Sequence, residues 1–193
     1  MIQVFNIQPH LYYGVIDLEA LALNRGLSAK REIENAGRDM LLKHLLGEDF
    51  RLYYDDKGKP HLSKPEVHMS LSHSHDKLAI VINEQEATGI DIELIRDKVI
   101  RIRNKFLSVP ELEDAGMEVE KLLVYWAAKE TLYKIYGLKE VDFIAHLFIA
   151  PFTWRDKGFV YGTIKLGSQE QKFELRYEKL DDYILVLAIK QIA

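Results

Sequence analysis

The chain has no cysteine in its 193 residues. Disulfides and thiolate metal sites are therefore excluded, and the composition fits a reducing, cytoplasmic setting. The opening Met1-Ile2-Gln3-Val4-Phe5-Asn6-Ile7 lacks the basic start and apolar core of a secretory leader, and no apolar run approaches the length that spans a bilayer. Positive charge is also not in excess. With 26 Lys and Arg against 30 Asp and Glu the formal charge is −4, which argues against a protein built to wrap nucleic acid. No Gly-x-Ser-x-Gly elbow occurs. What is present, 48% hydrophobic and 29% charged residues, is the balance of a soluble globular protein long enough for one large or two small domains.

Residues 2–7 and 11–16 read as short strands parted by Gln8-Pro9-His10, where Pro9 interrupts pairing. A helix is expected from Ser28 as cap to Gly47 as stop, with Ile33, Gly37, Met40, Leu41, His44 and Leu45 at helical spacing. Its first turn carries Lys30 and Arg31, where the helix dipole disfavours cations, and Arg38 falls on nearly the same face. Such a face is either simply solvated or awaits an anion such as phosphate. The polar segment from Asp55 to Pro60 is turn chemistry. From Val67 the pattern alternates as a strand, breaks at His73-Ser74-His75-Asp76 and resumes over Leu78 to Ile82. His68, His73 and His75 match no standard structural zinc spacing. Ser72, His73 and Asp76 are sequence neighbours, which seldom form a hydrolase triad.

Asn83 to Glu86 is expected to turn a hairpin into Gly89-Ile90-Asp91-Ile92-Glu93. In a strand, Asp91 and Glu93 leave one face and Ile90, Ile92 and Leu94 the other. Two carboxylates side by side repel unless a cation lies between them, and such hard oxygen ligands suit Mg²⁺; the plain alternative is an amphipathic strand with a wet polar face. Beyond Arg96 the strand pattern gives way to helix, which predicts halves of 1–96 and 97–193. Val99 to Leu107 reads as helix. Ser108 and Pro110 open another, with Glu111 near its start where a carboxylate is favoured. The longest helix runs from Glu118 to Tyr136 and stops at Gly137. Its apolar face is Leu122, Trp126, Tyr133 and Tyr136, and Glu130 and Lys134 form an i,i+4 pair that on a surface is worth about 0.3–0.5 kcal/mol. Ala145 to Ala150, Gly158 to Leu166, Lys172 to Tyr177 and Tyr183 to Ile189 read as strands. The class is α+β, each half placing a long helix on an antiparallel sheet.

Five stretches occur in an order that resembles the 4′-phosphopantetheinyl transferases, in particular the longer, two-halved type that activates surfactin synthetase and serves many carrier proteins. They are Gly58-Lys59-Pro60, Ser70-Leu71-Ser72-His73-Ser74, Gly89-Ile90-Asp91-Ile92-Glu93, Phe106-Leu107-Ser108-Val109-Pro110-Glu111 and Trp126-Ala127-Ala128-Lys129-Glu130-Thr131-Leu132-Tyr133-Lys134. After Gly137 a second glycine is common in that family, but Leu138-Lys139 follows here. The resemblance implies a pseudo-duplicated fold. It also implies Mg²⁺-dependent transfer of the phosphopantetheine arm of coenzyme A to a serine of an apo carrier protein, with release of adenosine 3′,5′-bisphosphate. Asp91, Glu93 and Glu130 would hold Mg²⁺, and Lys134 would reach the pyrophosphate. His73 would contact the 3′-phosphate with Ser72 assisting, and Lys59 would lie near the adenine and that phosphate, with Lys30, Arg31 and Arg38 as a cationic rim. The serine proton would go to Glu111, or to a metal-bound water near Glu93. Lys129 would contact coenzyme A or orient Glu111, and Trp126 would be core. Arg101, Arg103 and Lys105 with Phe106 would meet an acidic carrier. A cytoplasmic monomer without nucleic-acid or membrane partners is expected. Two readings compete: a coenzyme A or carrier-binding module without activity, and a Mg²⁺-dependent phosphohydrolase or nuclease using the same carboxylates.

Overall fold

The computed structural model describes residues 1–56, 58–64, 66–137 and 141–192. Position 57 of the Asp55 to Pro60 turn and the Leu138-Lys139 turn lie outside the described residues. The chain forms two compact units, Met1–Thr88 and Gly89–Ala193. No helix among the described residues is long and apolar enough to cross a membrane.

The first unit runs β1 (Ile2–Gln8), β2 (Leu11–Asp17), α1 (Leu18–Arg25), α2 (Lys30–Leu46), β3 (Leu52–Tyr54), β4 (Pro60–Leu62), β5 (His68–Ser74) and β6 (Lys77–Asn83). Four strands make an antiparallel sheet in the order β1-β2-β6-β5, while β3 and β4 form a separate ribbon. Helix α2 buries Gly37, Leu41 and Leu42 in a core with Ile16, Leu18, Leu78 and Ile80. The sequence reading omitted α1, whose eight residues are too few for a period to stand out. Its ends were nevertheless marked: Asp17 Oδ1 accepts from the Ala20 amide at 2.8 Å, and Gly26 closes the helix at φ 65°. The start of α2 also differs from expectation, because Ala29 rather than Ser28 occupies the cap and makes no side-chain bond.

The second unit runs β7 (Ile90–Leu94), α3 (Lys98–Ile102), a 3₁₀ turn (Arg103–Lys105), α4 (Val109–Ala115), α5 (Val119–Tyr136), β8 (Leu147–Ile149), β9 (Lys157–Leu166), β10 (Gln169–Leu180) and β11 (Tyr183–Ile192). Its antiparallel sheet has the order β7-β11-β10-β9-β8. The expected hairpin from β6 into β7 is not made. Asn83 does organise a turn, its Oδ1 accepting from the Gln85 and Glu86 amides, but β7 then pairs with β11. For that reason the division falls at Thr88/Gly89 and not at 96/97, and Asp91 and Glu93 belong to the second unit. In both units the strand that leads towards the long helix pairs with the last strand, β2 with β6 and β7 with β11.

Helix α5 is covered on nearly all sides rather than along one stripe: Leu122, Val124, Tyr125, Ala128, Lys129 and Leu132 are all buried. Trp126 and Tyr133, expected on the apolar face, pack at its margin around Phe143. Gly89 sets the approach of β7 to this helix. A Cβ there would stand 2.5 Å from the Thr131 carbonyl oxygen and 3.1 Å from Ile135 Cγ1, so only glycine lets the strand lie this close. Gly89→Ala is expected to lower unfolding free energy by about 1–3 kcal/mol, read as a lower midpoint in urea; an unchanged midpoint would show that β7 moves freely.

Candidate active site

Two rows of side chains face each other where β7 lies against α5. Residues 126, 130 and 134 follow at one-turn intervals on the helix, and 91 and 93 leave one face of the strand. Trp126 Nε1 donates to Glu93 Oε1 at 2.8 Å, and Lys134 Nζ donates to Asp91 Oδ1 at 2.7 Å and to the Ile90 carbonyl at 2.9 Å. The close partner of Lys134 is thus Asp91, not the Glu130 one turn before it. Glu130 lies on the helix between these two rungs. Burial and then the Asp91 charge push its carboxyl up to about 7; Lys134 pulls it down, and Glu93 pushes it further up.

Of the expected metal ligands, Asp91 and Glu93 share one face of the strand, and Glu130 on the helix feels the charge of both. The donors are oxygen only and crowd one another electrostatically, as ligands for a hard divalent ion do. Among the described residues, however, no three His, Asp or Glu side chains stand close enough to hold an ion as placed. This is compatible with Mg²⁺, which commonly takes one or two carboxylates and leaves the remaining positions to water and phosphate oxygens.

Beneath this array lies a buried ion pair. Lys129 has 0% exposure, and its Nζ donates to Glu111 Oε2 at 2.7 Å and to the carbonyls of Phe106 and Phe143, both at 2.8 Å. Burial pushes its ammonium below the usual lysine range even beside Glu111. With its three donors engaged inside the chain, Lys129 is not a coenzyme A contact; orienting Glu111 is the role that the geometry allows. Glu111, 4% exposed, also accepts from the Ser108 amide and hydroxyl through Oε2, at 2.8 and 2.9 Å, and from the Ile149 amide through Oε1 at 2.9 Å. A carboxylate surrounded in this way braces α4, α5 and β8 and is badly placed to take a proton from substrate. Phe106, offered above as a docking residue, is 1% exposed and belongs to the core.

In the first unit, the β5–β6 turn carries His73, with Ser72 buried next to it. The turn is fixed by Lys77, whose Nζ bonds Asp76 at 2.5 Å and the capping Asp17 at 2.9 Å. His73 Nδ1 and Lys30 Nζ both approach Glu34 Oε1, at 3.6 and 3.7 Å. Glu34 is a residue that the sequence reading missed, an acid among the expected phosphate contacts. Arg31 is exposed. The Arg38 guanidinium is bonded to Asp39, Asn35 and Tyr54, and against the opposing effect of burial Asp39 holds it above the usual arginine range. Lys59, pushed down by burial, lines a cavity of about 230 Å³ with Tyr53, Pro60, His61, Met69 and Thr88.

The chain is thus an α+β protein that sets carboxylates and a lysine in facing rows on a strand and a helix. The family model described as the 4′-phosphopantetheinyl transferase superfamily matches residues 87–188, more than half of the chain and all of this array. The chain belongs to that superfamily. It is similar to the 4′-phosphopantetheinyl transferase AcpT of Escherichia coli strain K12 and to that of Escherichia coli O157:H7, each 31% identical over 117 residues, or 56% of this chain. The matched stretch spans 59% of the length of these curated relatives.

The raised Glu130 carboxyl has a consequence for stability. A folded-state value of about 7 against an ordinary 4.5 means that between these values the folded protein holds a proton that the unfolded chain has released. Without divalent ion, stability therefore falls as pH rises through this window, by up to about 3 kcal/mol. Thermal melts from pH 4.5 to 8 check this: Glu130→Gln is expected to flatten the decline, and an identical decline in the variant would assign it elsewhere.

Proposed function

We propose that the chain is a 4′-phosphopantetheinyl transferase of the longer, two-halved type, moving the phosphopantetheine arm of coenzyme A to a serine of an apo carrier protein. The observation that supports this best is the Asp91/Glu93 row facing Glu130 and Lys134. The serine oxygen forms a bond to the pantetheine-side phosphorus as the bond to the bridging oxygen breaks, and adenosine 3′,5′-bisphosphate leaves with that oxygen. Negative charge spreads over phosphoryl oxygens, so positioning and cationic stabilisation carry the step. Asp91, Glu93 and Glu130 would hold Mg²⁺, which supplies charge neutralisation at the pyrophosphate. Lys134, kept near by Asp91, adds a fixed positive charge. With Glu111 closed off, we assign the serine proton to a water near Glu93.

In this reading the first unit binds the nucleotide end of coenzyme A. Lys59 and its cavity take the adenine side, His73 and Ser72 the 3′-phosphate, and Lys30, Arg31 and Arg38 the rim. Glu34 competes with that phosphate for His73 and Lys30. The shared pairing of leading and last strands supports a duplicated origin for the two units. The protein acts in the cytoplasm as a monomer.

The test is to incubate the chain with coenzyme A, Mg²⁺ and an apo acyl carrier protein and to weigh the carrier. A mass gain of one phosphopantetheine arm is expected, with Asp91→Asn and Glu130→Gln slowing it about 100-fold. Coenzyme A binding without mass gain would favour the binding module, and coenzyme A cleavage without carrier the hydrolase. Glu34→Gln is expected to lower the KM for coenzyme A roughly two- to fivefold; a raised KM would remove His73 and Lys30 from the phosphate site.

A further inference from the structure

The bonds of the buried Lys129 and the ring contacts of Trp126 converge on the same two residues. Lys129 Nζ fixes the backbone carbonyls of Phe106 and Phe143. The rings of those residues both pack on the Trp126 indole: Phe106 meets it edge-on with centroids 5.0 Å apart, and Phe143 stacks on it at 5.6 Å. Glu111 secures the clamp, joining Lys129 to the Ser108 turn and to the Ile149 amide. The edge of the indole that is left then delivers its N–H to Glu93 Oε1 at 2.8 Å. Glu93 and Trp126 together line a cavity of about 230 Å³ with Arg96, Lys98, Ile102 and Leu123.

We infer that Trp126 is a positioning residue that aims the Glu93 carboxylate, and that Phe106, Phe143 and the Lys129–Glu111 pair are the clamp that sets its ring. The inference rests on the transferase reading for its consequence, since it is as an ion-binding carboxylate that Glu93 needs a fixed direction. The physical ground is independent of that reading. A flexible glutamate has several rotamers, and a donor on a ring held by two aromatic contacts selects one of them. Hydrogen-bond partners behind metal-binding carboxylates typically change ion affinity 10- to 100-fold when removed.

Trp126→Phe keeps a ring in the clamp and removes only the N–H. It is expected to melt within a few degrees of the parent, to weaken Mg²⁺ binding in calorimetry with coenzyme A present about 10- to 100-fold, and to raise the Mg²⁺ needed for half-maximal transfer by the same factor while the rate at saturating Mg²⁺ stays within about threefold. Unchanged Mg²⁺ affinity would overturn the inference. A second readout does not depend on this variant folding or on turnover. In ¹⁵N-labelled protein carrying Trp154→Phe, the one remaining indole N–H signal is expected to shift in Glu93→Gln and again in Lys129→Met. A signal that moves in neither would overturn the inference. Should the parent show no Mg²⁺-dependent transfer while the indole signal responds to both substitutions, the transferase reading fails and the coupling of Trp126 to Glu93 stands.

Discussion

The charges of Asp91 and Glu93 on a strand, felt by the buried Glu130 on the neighbouring helix, are the constraint on which the second unit depends. Asp91 is 4% exposed, and the burial of Glu130 beside it is unfavourable enough to move its proton affinity into the neutral range. Such a cluster persists only because each member has been given something. Asp91 has Lys134, Glu93 has the Trp126 N–H, and Glu130 has its proton. The two partners are donors from one helix, at one-turn intervals either side of Glu130. The helix therefore fixes the spacing of the donors, and the strand fixes the spacing of the acids.

That match requires a short distance between strand and helix. Gly89 supplies it directly, because any side chain would strike the Thr131 carbonyl. The pairing of β7 with β11 holds the strand, with Asp91 opposite Val186 and Glu93 opposite Ile184. Under the helix, Lys129 ties α5 to the residues before α4 and before β8. Its removal would leave an uncompensated Glu111 in the core, a change that usually costs about 3–5 kcal/mol. Structure and site are thus linked through adjacent residues, 129 pointing into the core and 130 into the acidic array.

Much of this was legible in the sequence. The spacing of Asp91 and Glu93 gave their shared face, Ser108 and Pro110 marked α4, and Gly137 marked the end of α5. What could not be read was partnership at long range. Asn83 to Glu86 has turn composition, so a hairpin into β7 was the local expectation; the pairing with β11, some ninety residues on, leaves no local trace. The i,i+4 spacing of Glu130 and Lys134 implied a mutual ion pair, but a lysine chooses among all acids within reach and found Asp91. Lys129 and Glu111 stand in stretches whose family resemblance implies site chemistry, with a helix-start carboxylate and an orienting lysine as the plainer alternatives. Their burial is a tertiary fact, as is the use of Trp126 as a donor. Glu34 lay in plain view two residues after Glu32 on α2, and only the fold brings it to His73.

The facing rows are electrostatically loaded, and in the proposed function a divalent ion relieves that load. The most direct measurement is the titration of the Glu130 side-chain carboxyl by ¹³C NMR, assigned with Glu130→Gln, without and with Mg²⁺ and coenzyme A. A midpoint near 7 is expected in the free protein, falling by more than one pH unit when both are added. A midpoint near the ordinary 4.5 in the free protein, unmoved by Mg²⁺ and coenzyme A, would contradict it.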